Sequence, residues 1–324
     1  MNQRISDLTG SHHGLLCKLT SLLIALLLVV ACSPSLSTTP TAAPATPTAK
    51  PVPAATPSQT AEAATLTTEI TINIHYADVD ERGTNLDVYV PSEPGPWPVV
   101  VVVHGGEQSR SYYAPLAEAI ASQGAVVYNI DAWFTFPFRS GIERIACAVR
   151  FARATAATYG GDPGWITLVG SSAGAATGAV VALAGDDFEG DCVVSDGSAL
   201  PDAVVAFEGP YDYATTVYRP PAPDHTILKD EDPELWEAIN PYSHIGRNPD
   251  LKVRLVYGDD LDVTWYETLP QVSIEFHLAL ADAGYDVELI VVEGAHHTDL
   301  TSTYSDAFAL TVQQVIELAR SSPE

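Results

Sequence analysis

From Glu69 onward apolar and polar residues alternate through Ile70, Ile72 and Ile74, and again through Leu86, Val88 and Val90 after a turn at Gly83. A period of two predicts strands covered on one face, here an antiparallel pair. Val99 to Val103 is continuously apolar behind Pro96 and Pro98, which predicts a strand covered on both faces. Helical spacing then alternates with short apolar runs. The helix Tyr112–Gln123 precedes the strand Ala125–Ile130, the helix Ile142–Tyr159 precedes the strand Trp165–Val169, and the helix Ala173–Ala184 precedes the strand Ala203–Phe207. The rhythm breaks over Gly209–Pro249, which is proline-rich, carries the acidic run Asp230–Asp232 and looks helical only over Pro233–Ile239. This stretch is expected to be an insertion forming a small cap over a site. Alternation resumes with the strand Leu251–Tyr257, the helix Gln271–Ala283, the strand Val287–Val292 and the helix Tyr304–Arg320. A strand pair followed by repeated strand–helix units specifies an α/β class with a mostly parallel central sheet and helices on both faces.

The first 68 residues follow neither period. Lys18 precedes the apolar run Leu22–Val30 and then Ala31-Cys32, the layout of an export signal. The run is short for crossing ~30 Å of hydrocarbon. Val29-Val30-Ala31-Cys32 resembles the signal of bacterial lipoproteins, residues 1–32 with the lipobox cysteine, which implies acylation of Cys32 and removal of the residues before it, so that Cys32 becomes the mature N-terminus. The expectation is an exported protein, lipid-anchored to the bacterial cell envelope, with the rest of the chain outside the cytoplasm. Ser33–Thr68 is almost wholly Ser, Thr, Ala and Pro, too poor in large apolar groups to offset the entropy of ordering, and reads as an extended tether. One domain, residues 69–324, remains.

Charge narrows the partners of that domain. The chain has 15 Lys and Arg against 41 Asp and Glu, a net charge of −26, and only Arg4, Asp7, Lys18, Lys50 and Glu62 precede residue 69. A surface this acidic repels phosphate backbones, which excludes nucleic-acid binding, and it offers no polybasic membrane patch. The glycine-rich turns form neither a P-loop nor a dinucleotide fingerprint, so no nucleotide cofactor is implied.

Gly170-Ser171-Ser172-Ala173-Gly174 lies where the strand Trp165–Val169 gives way to a helix. A serine hydroxyl becomes a useful nucleophile when a sharp turn exposes it beside a base, and small flanking residues permit such a turn. The helix N-terminus behind Ser172 favours a developing anion. His104-Gly105-Gly106 follows the strand Val99–Val103, where backbone N–H groups can face a reacting carbonyl. The candidate oxyanion donors are Gly105, Gly106, Glu107 and Ala173, while His104 is expected to shape the loop rather than carry protons.

Val100–Gly106 and Asp162–Gly174, with the aspartate and histidine segments described next, resemble α/β-hydrolase-fold esterases of the carboxylesterase, feruloyl-esterase-like and arylformamidase-like branch. The likeness runs from about Glu69 to Arg320 with the serine, acid and histidine in that family's chain order. It implies that Ser172 is the nucleophile and that the base follows the last strand. Val292–Leu300 offers His296 and His297, of which His297 matches the family position better. Its acid should lie in Tyr257–Val263, after the preceding strand; Asp262 fits best, with Asp260 and Asp259 open. Those aspartates lack the spacing of a calcium loop. Glu208, at the tip of Ala203–Phe207, is expected to be a pocket wall rather than the triad acid. The resemblance also places Cys147 and Cys192 on elements covering one face of the sheet, which implies a disulfide.

The sequence departs from the family at Glu107-Gln108-Ser109, where a third glycine or a tryptophan region is common. A carboxylate there disfavours anionic esters and sets the arylformamidase substrate aside. Asp131–Phe136 also departs, and its aromatics either line an apolar pocket or pack beneath the cap. The implied activity is cleavage of a small neutral carboxylic ester through an acyl-enzyme, with no metal or organic cofactor. An amidase or peptidase on the same triad, or an inactive binding protein on this scaffold, are the alternatives.

Overall fold

The strands β1 (Thr68–His75), β2 (Asn85–Pro91), β3 (Trp97–Val103), β4 (Val126–Ile130), β5 (Gly161–Ser171), β6 (Ala203–Phe207), β7 (Lys252–Gly258) and β8 (Asp286–Val292) form one sheet. Their order is β1-β2-β4-β3-β5-β6-β7-β8. Pairing is antiparallel on both sides of β2 and parallel from β4 through β8. The computed structural model describes residues 65–78, 83–134, 138–212, 230–260 and 269–322. The expected signal with Cys32, the tether as far as residue 64, and Asp262 lie outside the described residues.

The valine run of β3 shows why the sheet is two-sided. Val99 to Val103 are all fully buried, and successive side chains enter opposite layers. Val99, Val101 and Val103 belong to the core layer that is completed by α2 (Arg139–Thr155), α3 (Ala173–Ala184) and α5 (Leu269–Asp282), where α4 is Pro233–Ile239. Val100 and Val102 pack with α1 (Arg110–Ser122) and α6 (Ala307–Ala319). Each such burial contributes roughly 1.5–3 kcal/mol relative to exposure. This is the α/β-hydrolase fold. The carboxyl ends of β3 and β5 to β8 share one edge of the sheet, where ligands of open α/β sheets bind.

Four details refine the sequence reading. Backbone before residue 69 is already tied to the domain, since Leu66 N–H donates to the Ser122 carbonyl at 2.9 Å and Ser92 N–H to Thr67. In β1, the edge strand, Ile70 and Ile72 are 48% and 62% exposed; Ile74 reaches the core only after a bulge with Asn73 at φ +59°. The helix expected to reach Tyr159 ends at Thr155 and tightens into a 3-10 turn, Ala156–Tyr159, stopped by Gly160 at φ +72°. The described part of Gly209–Pro249 is anchored to the core. Trp236 and Ile239 are buried, and Tyr211 stacks on Phe276 of α5 at 4.4 Å.

A disulfide joins Cys147 on α2 to Cys192, with Cα atoms 5.0 Å apart. Beside it the buried guanidinium of Arg150 donates to the Phe188 carbonyl at 2.7 Å, so a covalent and a polar tie hold the same loop to α2.

Candidate active site

Among the described residues, five non-glycines have positive φ, and three of them end core strands at one edge: Glu107 (+58°) beyond β3, Ser172 (+53°) after β5 and Glu208 (+50°) after β6. Such conformations each cost about 1–3 kcal/mol and cluster where function holds them in place. At Ser172 the pair φ +53°, ψ −118° makes the sharp turn from β5 into α3. Ser172 N–H donates to the Phe207 carbonyl at 2.8 Å, fixing the turn to β6, and its own carbonyl accepts from Ala175 and Ala176 in the first turn of α3.

The flanking glycines are there for close approach. A Cβ on Gly170 would lie 2.3 Å from the Gly174 carbonyl oxygen, and one on Gly105 would lie 3.4 Å from the Ser172 Cβ. The His104–Ser109 loop therefore packs directly on the serine turn. Its shape is held from within. Tyr113, buried on α1, accepts from Gly105 N–H at 3.2 Å and donates to Gln108 Oε1 at 3.0 Å. Gly105, one of the four expected oxyanion donors, thus spends its N–H inside the loop, leaving Gly106, Glu107 and Ala173 as candidates.

His104 is 3% exposed; its Nδ1 lies 2.6 Å from the Gly105 carbonyl oxygen and its Nε2 accepts from Ala132 N–H at 3.1 Å. Both nitrogens serve backbone, and burial holds the imidazole below its ordinary pKa, so it is neutral. Arg110 closes the loop. Its Nε is 3.0 Å from Asp87, and its guanidinium also meets Asp131 and Asn73. Of the aromatics after β4, Trp133 is 45% exposed and Phe134 packs edge-on against His104 at 5.3 Å; Phe136 lies outside the described residues.

The two histidines after β8 face different carboxylates. His296 is 40% exposed with Nε2 3.6 Å from Asp260. His297 is 10% exposed with Nδ1 2.6 Å from Oε2 of Glu208, itself 5% exposed. The ring is not turned for a straight N–H···O bond, an alignment catalytic sites often complete only with substrate bound. Asp259 accepts from Gly294 N–H at 2.6 Å and so braces the β8 turn. Glu208, expected as a pocket wall, lies instead against the imidazole. A lone carboxylate directly after the wholly apolar Ala203–Phe207, at the end of the sheet that carries Ser172, was the available sequence signal. Among the described residues no three His, Cys, Asp or Glu side chains are grouped to hold a metal.

The chain is 29% identical over 253 residues to a probable isoprenylcysteine alpha-carbonyl methylesterase, ICMEL1, of Arabidopsis thaliana, a match covering 68% of this chain and 50% of that protein. It is 27% identical over 224 residues to esterase LipQ of Mycobacterium tuberculosis, covering 64% and 51% respectively. It spans about half the length, or less, of the curated relatives it matches. Among solved structures, a truncated carbohydrate esterase from gut microbiota superposes with a TM-score of 0.60 at 22% identity, covering 80% of this chain and 98% of that one. Esterase B from Lactobacillus rhamnosis superposes with a TM-score of 0.63 at 16% identity, covering 78% and 86%. These likenesses lie in the fold. The family model named BD-FAE matches residues 86–263, more than half of the chain, running from within β2 through β7 and including the serine turn, and the chain belongs to that family.

Proposed function

We propose that the protein is a serine esterase that cleaves neutral carboxylic esters through an acyl-enzyme. The observation that carries this reading is the Ser172 turn, a strained non-glycine residue between a buried strand and a helix N-terminus, against which the glycine loop after β3 is packed. Ser172 Oγ attacks the carbonyl carbon while its proton passes to Nε2 of His297, the nitrogen on the far side of the ring from Glu208. The carbonyl oxygen takes the negative charge and is met by N–H groups of Gly106, Glu107 and Ala173. Collapse breaks the bond to the leaving alkoxide, which receives that proton; water then repeats the sequence on the acyl-enzyme. The relatives named as esterases support the reaction class.

An alkyl fluorophosphonate probe tests this. Labelling of the folded protein should map to Ser172 and vanish in Ser172→Ala and His297→Ala; a folded wild-type protein that takes no label overturns the reading.

The same reading extends to location. Lys18, Leu22–Val30 and Ala31-Cys32 support export and lipid anchoring at Cys32, and the Cys147–Cys192 disulfide, a bond at home in oxidising compartments, supports the export alone. Radiolabelled palmitate should enter the full chain made in a bacterial host and fail to enter Cys32→Ser. Equal incorporation in the two would exclude anchoring at that residue.

A further inference from the structure

We propose that Glu208, at the end of β6, is the carboxylate that orients His297 and stabilises its cation, a role the sequence reading gave to the aspartates after β7. The proposal deepens the esterase reading and rests on it for its catalytic meaning.

Glu208 is buried, and a buried carboxylate is tolerated only when its oxygens are engaged. Oε1 accepts from Gly258 N–H at 2.8 Å, and Oε2 lies 2.6 Å from Nδ1 of His297, the ring that would carry the opposing charge. The backbone is equally fixed, because Glu208 N–H donates to the Val256 carbonyl at 3.0 Å. Phe207, one residue earlier, accepts from Ser172 N–H. Nucleophile turn and carboxylate are therefore registered to each other through adjacent strands rather than through loops.

Gly258 supplies the third part. A Cβ there would stand 2.1 Å from the Ala295 carbonyl oxygen, so only glycine lets the turn after β8 descend onto the end of β7. That descent brings His297 over Glu208, while the Gly258 amide faces the same carboxylate. The described aspartates of the β7 turn are otherwise engaged. Asp259 is exposed and accepts from Gly294, and Asp260 is exposed and faces His296.

In the reaction the Ser172 Oγ–carbon bond forms as the serine proton moves to His297 Nε2. The imidazolium then carries a positive charge against the Glu208 carboxylate, which keeps its own charge and takes no proton. Glu208 acts through His297 and touches no substrate, so it is a positioning residue.

Two readouts on the full chain test this, one of them independent of hydrolysis. Proton NMR of the wild-type protein should show a downfield imidazole N–H resonance, assigned to His297 by its loss in His297→Ala. It should be lost or moved upfield in Glu208→Gln and retained in Asp262→Asn. On a neutral p-nitrophenyl ester, Glu208→Gln should lower kcat about 10³–10⁴-fold with KM changed far less, and Glu208→Asp should recover part of the loss. Glutamine keeps an acceptor for the Gly258 amide, and matched thermal melts establish that each variant is folded. An equal or larger kcat loss in Asp262→Asn, or a resonance that responds to Asp262→Asn and not to Glu208→Gln, overturns the proposal while Ser172 still takes the phosphonate. A resonance that behaves as expected in a folded protein that takes no label overturns the esterase reading, and the catalytic role of Glu208 with it.

Discussion

Gly174 on α3 approaches His104 so closely that a Cβ added to it would lie 2.3 Å from the His104 carbonyl oxygen and 2.9 Å from that of Val103. The second glycine of the G-S-S-A-G turn is therefore a contact between α3 and the end of β3. It seats the serine turn against the loop of candidate oxyanion donors. Gly174→Ala should destabilise the protein by about 3 kcal/mol, since backbone must move, and should abolish phosphonate labelling. Gly178, one turn further along α3, meets only Leu168, at 3.4 Å, and Gly178→Ala should be neutral or stabilising by about 0.5–1 kcal/mol through helix propensity. Urea denaturation of the two variants checks this; equal effects would show that packing at the turn does not distinguish them.

The neutral state of His104 predicts an acid-sensitive fold. Burial lowers its pKa in the folded protein, so between that value and the ordinary ~6.5 the unfolded chain binds more protons. The contribution is complete above about pH 6.5 and falls as pH drops through the folded pKa, with a slope of at most ~1.4 kcal/mol per pH unit. The stability difference between wild type and His104→Asn should be constant above pH 7 and should shrink from pH 6.5 towards 5. His244 and His277, also lowered by burial, are common to both proteins and cancel. A difference that stays constant to pH 5 would mean that the buried imidazole does not govern acid stability.

How much of this was legible beforehand differs by element. Val99–Val103 announced a two-sided strand because parallel sheets buried on both faces leave no polar position, and all five valines are fully buried. Ile70 and Ile72 carried the same apolar signal, yet alternation cannot report whether a layer covers an edge strand. Ser172 was legible because its turn is local, five residues whose small size has one reason. The Glu208 carboxylate beside His297 was not. It depends on where β6, β7 and β8 end relative to one another, a register set by pairs such as Phe207↔Val256 and Gly258↔Val292. Spacing from Gly258 directed attention to Asp262, which lies outside the described residues.

The Cys147–Cys192 bridge closes a loop with a sequence separation of 45, and chain entropy assigns such a cross-link about 4 kcal/mol. Its removal also loosens the loop that Arg150 holds through the Phe188 carbonyl. Cys147→Ala/Cys192→Ser should lower the urea midpoint strongly, and dithiothreitol should lower that of wild type and leave the double variant unchanged. A wild-type midpoint insensitive to the reductant under conditions shown by peptide mapping to open the bridge would remove its stabilising role.

Charge near the site predicts discrimination between substrates. Glu107 is exposed at φ +58° between Gly106 and the start of α1, and the whole chain carries a net charge of −26. A carboxylated ester should be hydrolysed with a kcat/KM about three- to tenfold below that of a neutral ester of matched size, from repulsion across several ångströms of partly aqueous medium. Raising ionic strength from 0.01 to 0.5 M shortens the screening length from about 30 Å to less than 8 Å and should narrow the gap. Glu107→Gln keeps the backbone N–H and removes one charge. If it closes most of the gap at low salt, the local carboxylate is responsible; if salt closes the gap and the variant does not, the field of the whole acidic surface is. A preference for the neutral ester that neither change alters would place the discrimination in desolvation of the substrate carboxylate, which salt does not screen.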